Sequence, residues 1–210
     1  KVALELGEEI TAAPGSWVYA RGNWKVKTHT IRGAFVARLF GRGTLFYNTF
    51  YAVDGKLELG FAPKLMGDVE TVDLNGVCFV SDKAFLAIYG SVAFGISWMG
   101  LRGWFASRKF IWLSVSGEGT LWIASCGGIL KMRSDEDLNV DTDDIVAVCS
   151  SHSRVKMDVK AFGGFLSKSF LLGGEGFYLT FPPDLDVYVQ TRPLSTCARM
   201  RSAYAKSGKK

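Results

Sequence analysis

The sequence predicts an all-β protein: a single domain of three similar antiparallel β units about a pseudo-threefold axis, with a short basic C-terminal extension. Three observations predict it. Short runs rich in Val, Ile, Phe, Tyr and Trp recur along the 210 residues, punctuated by Gly, Asp, Asn and Pro. Three hairpin-like segments begin at Phe46, Phe110 and Phe177, 64 and 67 residues apart. Six basic residues and no acid fall between Arg192 and Lys210.

Length and composition bound the alternatives. A chain of 210 residues makes one large domain or two small ones. With 48% hydrophobic and 21% charged residues it is not disordered as a whole. Its 24 glycines follow no period of three and no heptads run through it, which excludes collagen-like and coiled-coil structures.

In chain order the strand-like runs are Ser16–Ala20, Trp24–Thr28, Leu45–Val53, Lys56–Ala62, Val77–Val80, Phe85–Tyr89, Val92–Ser97, Phe110–Val115, Thr120–Ala124, Ile145–Cys149, Arg154–Val159, Phe177–Phe181 and Val187–Gln190. Alternation at Trp24–Thr28, Lys56–Gly60 and Arg154–Val159 gives each run one apolar face, as in a sheet wetted on one side. Turn signals at Asp54-Gly55, Gly117-Glu-Gly119 and Pro182-Pro-Asp184 convert neighbouring runs into hairpins. A further strand pair precedes each hairpin: Trp17–Thr28, Phe85–Ser97 and Ile145–Val159. Gly- and Phe-rich linkers, Gly33–Gly43, Gly103–Phe110 and Gly164–Gly176, join pair to hairpin. The repeat units span about 8–76, 77–137 and 138–193 within a β domain of residues 1–195, and residues 196–210 form the basic tail. Each unit alone has too little core, whereas three together bury one. Phe46, Phe50, Leu57, Trp112, Trp122, Leu179 and Val189 are the expected core positions.

Ala84–Leu101 is 18 residues without a charge, the length of a spanning helix. Gly90, Gly95 and Gly100 interrupt it, and its β-branched and aromatic residues cluster in short runs. Two buried strands fit better, so no transmembrane helix is expected.

The net charge of +5 is polarised. Without Arg192, Arg199, Arg201, Lys206, Lys209 and Lys210, the body holds 19 basic and 20 acidic residues. Between Glu9 and Asp54 there is no acid, only Arg21, Lys25, Lys27, Arg32, Arg38 and Arg42. From Asp135 to Asp144 there are six acids. Such asymmetry suits a polyanion partner or complementary self-association, and the two basic sets are the candidate polyanion-binding residues. Two solvated faces are the simpler reading.

Chemical motifs are weak. Cys78, Cys126, Cys149 and Cys197 are far apart, no CxxC occurs, and only His29 and His152 could assist. No metal site is expected, and the thiols are expected to be reduced and mostly buried, with no structural disulfide. Gly41-Arg-Gly and Gly173-Gly-Glu-Gly lack the Lys and the following helix of a phosphate loop. Asp141-Thr-Asp-Asp144 lacks the Gly and terminal Glu of a calcium loop and reads as a surface turn. His152 amid Ser150, Ser151 and Ser153 has no nucleophile-elbow context. Trp24, Trp98, Trp104, Trp112 and Trp122 could stack bases, but aromatics in a strand-rich core are mostly packing. No catalytic residue and no cofactor is expected.

A series of short motifs carries a resemblance. Leu45-Phe-Tyr-Asn-Thr-Phe is followed by Gly60-Phe-Ala-Pro-Lys-Leu-Met-Gly-Asp-Val, Gly100-Leu-Arg-Gly, Leu113-Ser-Val-Ser-Gly-Glu-Gly, Val140-Asp-Thr-Asp and Gly173-Gly-Glu-Gly-Phe, ending in Val189-Gln-Thr-Arg192. In this order they resemble the altered-inheritance-of-mitochondria family, type twenty-four, over about Val2 to Ser195. The resemblance implies a fold likened to the tryptophan RNA-binding attenuation protein. It also implies a non-enzymatic role, mitochondrial in eukaryotes, where members are linked to inner-membrane organisation, and cytoplasmic in a prokaryote. No catalytic residues carry over.

The expected function is therefore a non-enzymatic structural or assembly protein acting through protein contacts within a larger complex, with homo-oligomers open. The alternative is an RNA-associated subunit or assembly factor of a mitochondrial-ribosome-like particle, gripping phosphate through the basic tail.

Overall fold

The computed structural model describes residues 1–30, 46–97, 112–151, 158–161 and 177–207. Among them, thirteen strands precede one helix: β1 Val2–Leu4, β2 Glu9–Ala12, β3 Trp17–Thr30, β4 Phe46–Phe61, β5 Val69–Ser81, β6 Phe85–Ser97, β7 Trp112–Ala124, β8 Ile129–Arg133, β9 Leu138–Asp141, β10 Ile145–Ser150, β11 Asp158–Ala161, β12 Phe177–Phe181, β13 Asp186–Gln190 and α1 Leu194–Ser207. The chain is nearly all β, as its β-branched and aromatic runs require. A ten-stranded antiparallel sheet runs β1-β4-β2-β6-β7-β5-β10-β13-β8, with β3 also on β4, and a second sheet runs β11-β12-β9. The three expected linkers lie outside the described residues.

The expected hairpins are instead long bent strands. β4 does not reverse at Asp54-Gly55. One half pairs with β2, from Glu9↔Tyr51 to Ala12↔Asn48, and the other with β1, from Val2↔Leu59 to Leu4↔Leu57. β3 follows it throughout, with the register slipping where Asn23 faces Asp54 and Trp24 faces Ala52. The turn signal here makes a bulge, which bends a ladder without ending it. The same correction holds for β7, which continues through Gly117-Glu-Gly119 with β5 and β6 paired along its length. Gly90 and Gly117 adopt φ of 121° and 132°, and each packs against the other strand's carbonyl, Glu118 O and Ser91 O respectively. No side chain fits at such contacts, so the ribbon bends there.

The third segment breaks. β12 belongs to the small sheet, between β11 and β9, whereas β13 belongs to the large one, between β10 and β8. Pro182 and Pro183 cannot donate to a ladder, and Asp184 turns at φ 69°. The Phe85–Tyr89 and Val92–Ser97 runs likewise merge into the single strand β6, and among the described residues no helix is long and apolar enough to cross a membrane.

Pairing sorts the strands into three groups, within residues 2–61, 69–124 and 129–190. In each, the last strand or broken strand lies between the other two, and β5 runs unbroken from Val69 to Ser81. Group joins group through β2–β6 and β10–β5. Three apolar clusters fill the interior. One centres on Val80, Val115, Leu121 and Ile123, one on Leu4, Ile10, Leu57 and Leu59, and one on Val148, Leu179, Phe181 and Val187. Of the expected core positions, Phe50, Leu57, Trp112, Leu179 and Val189 are buried, and Trp122 is partly buried against the second cluster. Phe46 is 38% exposed, because β2 covers β4 only as far as Asn48 and leaves Phe46 opposite Thr30 alone.

The expectation of four reduced thiols is overturned. Cys78 and Cys149, directly opposite each other on β5 and β10, form one disulfide, and Cys126 and Cys197 form another. Each bridge spans 71 residues of sequence. Spacing along a chain predicts nothing about contact when strands this far apart are ladder neighbours. The second bridge ties α1 to the β7–β8 loop. A 14-residue helix with no acid in its first turn is marginal in water, and this tether fixes its first turns to the body.

Candidate interaction surface

β3 stands out because almost none of it is covered. Among the described residues it pairs only with β4, which leaves its other edge free. Trp17, Val18, Tyr19, Trp24 and Val26 are all more than a third exposed on this strand. An open edge and an apolar row together form a surface that proteins normally cover or blunt with charge.

Local contacts fix its geometry. The Trp17 and Trp24 rings lie 5.3 Å apart, and Trp24 packs on Phe50 at 5.9 Å. The Tyr19 hydroxyl donates to Glu58 Oε1 at 3.0 Å, and Lys1 Nζ lies 3.2 Å from Glu58 Oε2. These bonds hold the Glu58 carboxyl below its ordinary range, with Tyr19 the larger cause, and the same contact raises the Tyr19 phenol. Asn23 donates to Asp54 at 2.7 Å at the bulge, and Thr28 donates to Asn48 at 2.8 Å further along. His29 stacks on Tyr47 at 5.0 Å.

The basic residues separate into two places. Arg21, Lys25 and Lys27 are exposed on β3, and Lys25 and Lys27 share one face by strand alternation. Arg21 faces Glu58 in the ladder, whereas Lys25 and Lys27 make no salt bridge among the described residues. Arg192 precedes α1 and its stem lies against Gly127, while Arg199, Arg201 and Lys206 ride on α1. Among the described residues no hydrogen bond or ion pair joins β3 to α1. Arg32, Arg38, Arg42, Lys209 and Lys210 lie outside the described residues, as do Trp98, Trp104, His152 and both glycine loops. Trp112 is buried and takes no part in a surface. The row Trp17, Val18, Tyr19 was not legible as a site, because a run of apolar residues reads as core until its missing neighbour is known.

The acids form the opposite pole. Asp135, Glu136 and Asp137 are exposed before β9, and Asp141, Asp143 and Asp144 make the turn after it. The Asp143 N–H donates to Asp141 Oδ1 at 2.7 Å, and among the described residues no cluster suited to a metal occurs. Asp144 Oδ1 is buried without a partner. Burial first, then the charges of Asp141 and Asp143, raise its carboxyl above the ordinary range. The folded state therefore favours protonated Asp144. This contribution is complete below the ordinary Asp range and is lost as pH rises through the raised value. Asp144→Asn is expected to raise the melting temperature at pH 7 by a few degrees, with the gain vanishing below the ordinary Asp range. A gain independent of pH would show that the charge is not the cause.

A model of the mitochondrial biogenesis AIM24 family matches residues 1–192. The chain belongs to that family. The match includes β3, the acidic turn and all thirteen strands, and ends just before α1. A solved structure similar to this AIM24-family chain is that of protein SPYM3_0169 from Streptococcus pyogenes. The two are 24% identical, the alignment covers 96% of this chain and 92% of the other, and the TM-score is 0.72. At that identity the likeness carries the fold alone. No curated protein matches the chain.

Proposed function

We propose that this AIM24-family chain is a non-enzymatic assembly protein of mitochondrial type that works through protein contacts. The observation that carries this reading is β3, an open sheet edge with Trp17, Val18 and Tyr19 exposed beside it. Edge strands recognise other chains through main-chain bonds, with side chains setting specificity. The two disulfides favour a compartment where thiols are not kept reduced. We further propose that the three units are arranged about a pseudo-threefold axis within residues 1–195, with the seam between the third unit and the first left open among the described residues, supported by the recurring placement of each group's last strand between the other two.

The RNA reading draws on Trp24 beside Lys25 and Lys27 and on Arg199, Arg201 and Lys206 of α1. Affinity capture of the full chain, with and without nuclease, separates the two. Protein partners retained after nuclease and lost in Trp17→Ala/Tyr19→Ala are expected. Partners released by nuclease, and weakened by Arg199→Ala/Arg201→Ala, would replace this reading with the RNA one. Point variants are preferable to deleting residues 196–210, because the deletion removes Cys197 and strands Cys126.

A further inference from the structure

The exposed stretch of β3 has two structural counterparts elsewhere in the chain, and both are covered. Three turns share one hydrogen-bond pattern. Ser16 N donates to Ala13 O at 3.2 Å, Ala84 N to Ser81 O at 2.9 Å and Asp144 N to Asp141 O at 3.2 Å. The residue that closes each turn accepts in the same way, from Ala62, Ala124 and Gln190 respectively, at 2.7–2.8 Å. Trp17, Phe85 and Ile145 are therefore equivalent first residues of β3, β6 and β10.

Their surroundings differ in one respect. β6 is flanked by β2, with Ala87 opposite Ala12, and β10 is flanked by β5, with Ala147 opposite Val80. Under that cover Phe85–Ile88 and Ile145–Val148 are at most 6% exposed. Trp17, Val18 and Tyr19 are 42%, 56% and 39% exposed, and among the described residues no strand lies there. Ala12 and Val80 each stand one residue before the acceptor of a turn. The third residue in that position is Val140, on β9. Among the described residues β9 pairs only with β12, so its other edge is also open.

We propose that the β9 edge of a second copy of this chain pairs with the β3 edge, antiparallel, with Val140 opposite Tyr19 and Asp141 opposite Val18. The same rule that joins the chain's own groups would then join two chains. The charges agree, because β9 is bounded by Asp135, Glu136, Asp137, Asp141, Asp143 and Asp144, and β3 carries Arg21, Lys25 and Lys27. This association rests on the protein-contact reading and specifies the partner as the chain itself. It is tested on purified protein, so its failure leaves that reading to the capture experiment.

The full chain is purified with its disulfides intact and measured by light scattering over a concentration series. Concentration-dependent oligomers are expected, weakened at least tenfold by Val18→Glu, which sets a carboxylate against Asp141, and weakened by raising salt from about 0.1 M to about 0.5 M. Val18 is exposed, so the substituted chain keeps its fold, which circular dichroism verifies. Val18→Cys and Asp141→Cys chains are then mixed and treated with a short bismaleimide. A crosslinked dimer from the mixture, in excess over either variant alone, is expected. A strictly monomeric protein would overturn the inference. So would a double variant, Val18→Cys/Asp141→Cys, that crosslinks only within one chain, since the seam would then close on itself.

Discussion

Removing the Cys78–Cys149 bridge with Cys78→Ala/Cys149→Ala is expected to cost about 2–4 kcal/mol of unfolding free energy. The bridge closes 71 residues of sequence, and its loss lets the denatured chain explore conformations that the oxidised chain cannot reach. Cys78 is fully buried, and both residues sit in the ladder through which β5 holds β10. The loss should therefore lower the global transition in urea without changing its single-step character. Cys126→Ser/Cys197→Ser should behave differently, although it closes a loop of the same length. It frees α1, so the expected result is loss of helical signal and proteolysis after Pro193, with a smaller shift of the main transition. Intact mass before and after reduction comes first: a chain that gains no hydrogens on reduction has no bridges to lose.

Gly90→Ala is expected to destabilise the fold by about 3 kcal/mol or more. Its φ of 121° lies where L side chains are strained, and an added Cβ would stand 2.5 Å from Glu118 O on β7. That oxygen belongs to a backbone locked in the bend and cannot yield cheaply. Gly95→Ala, on the same strand, is the control. Its Cβ would meet only Ser114 Cβ at 3.9 Å and φ is not positive, so a change under about 1 kcal/mol is expected. Equal losses at the two positions would mean that strand propensity, not the bend, sets the cost.

How much of this was legible in the sequence depends on whether the signal is local. Strand character was, because Val, Ile, Phe and Tyr declare it residue by residue. Phe50, Leu57 and Leu179 could be placed in the core from alternation alone. Asp54-Gly55 and Gly117-Glu-Gly119 read as hairpin turns, yet the strands continue through both, because a turn and a bulge use the same residues. Only a partner strand that continues past them, as β3 and β6 do, distinguishes the two. The disulfides and the open β3 edge were illegible for one reason: both depend on segments far apart in sequence, 71 residues for each bridge. Trp17 and Phe85 look alike as sequence, and their exposures differ because β6 has β2 on its second edge, whereas among the described residues β3 has no strand there.

The bent strands also bear on how the chain reaches its fold. Most ladders join residues far apart, as Val2↔Leu59 does, and the joints between groups, Ile10↔Tyr89 and Ala147↔Val80, reach further still. Loop closure must precede most of the reward, which places the protein among slow, late-committing folders. A nascent chain that has emerged only to Ser97 holds β6 without β7, its main neighbour, so translation should run well past Ala124 before the first two groups become protease-resistant.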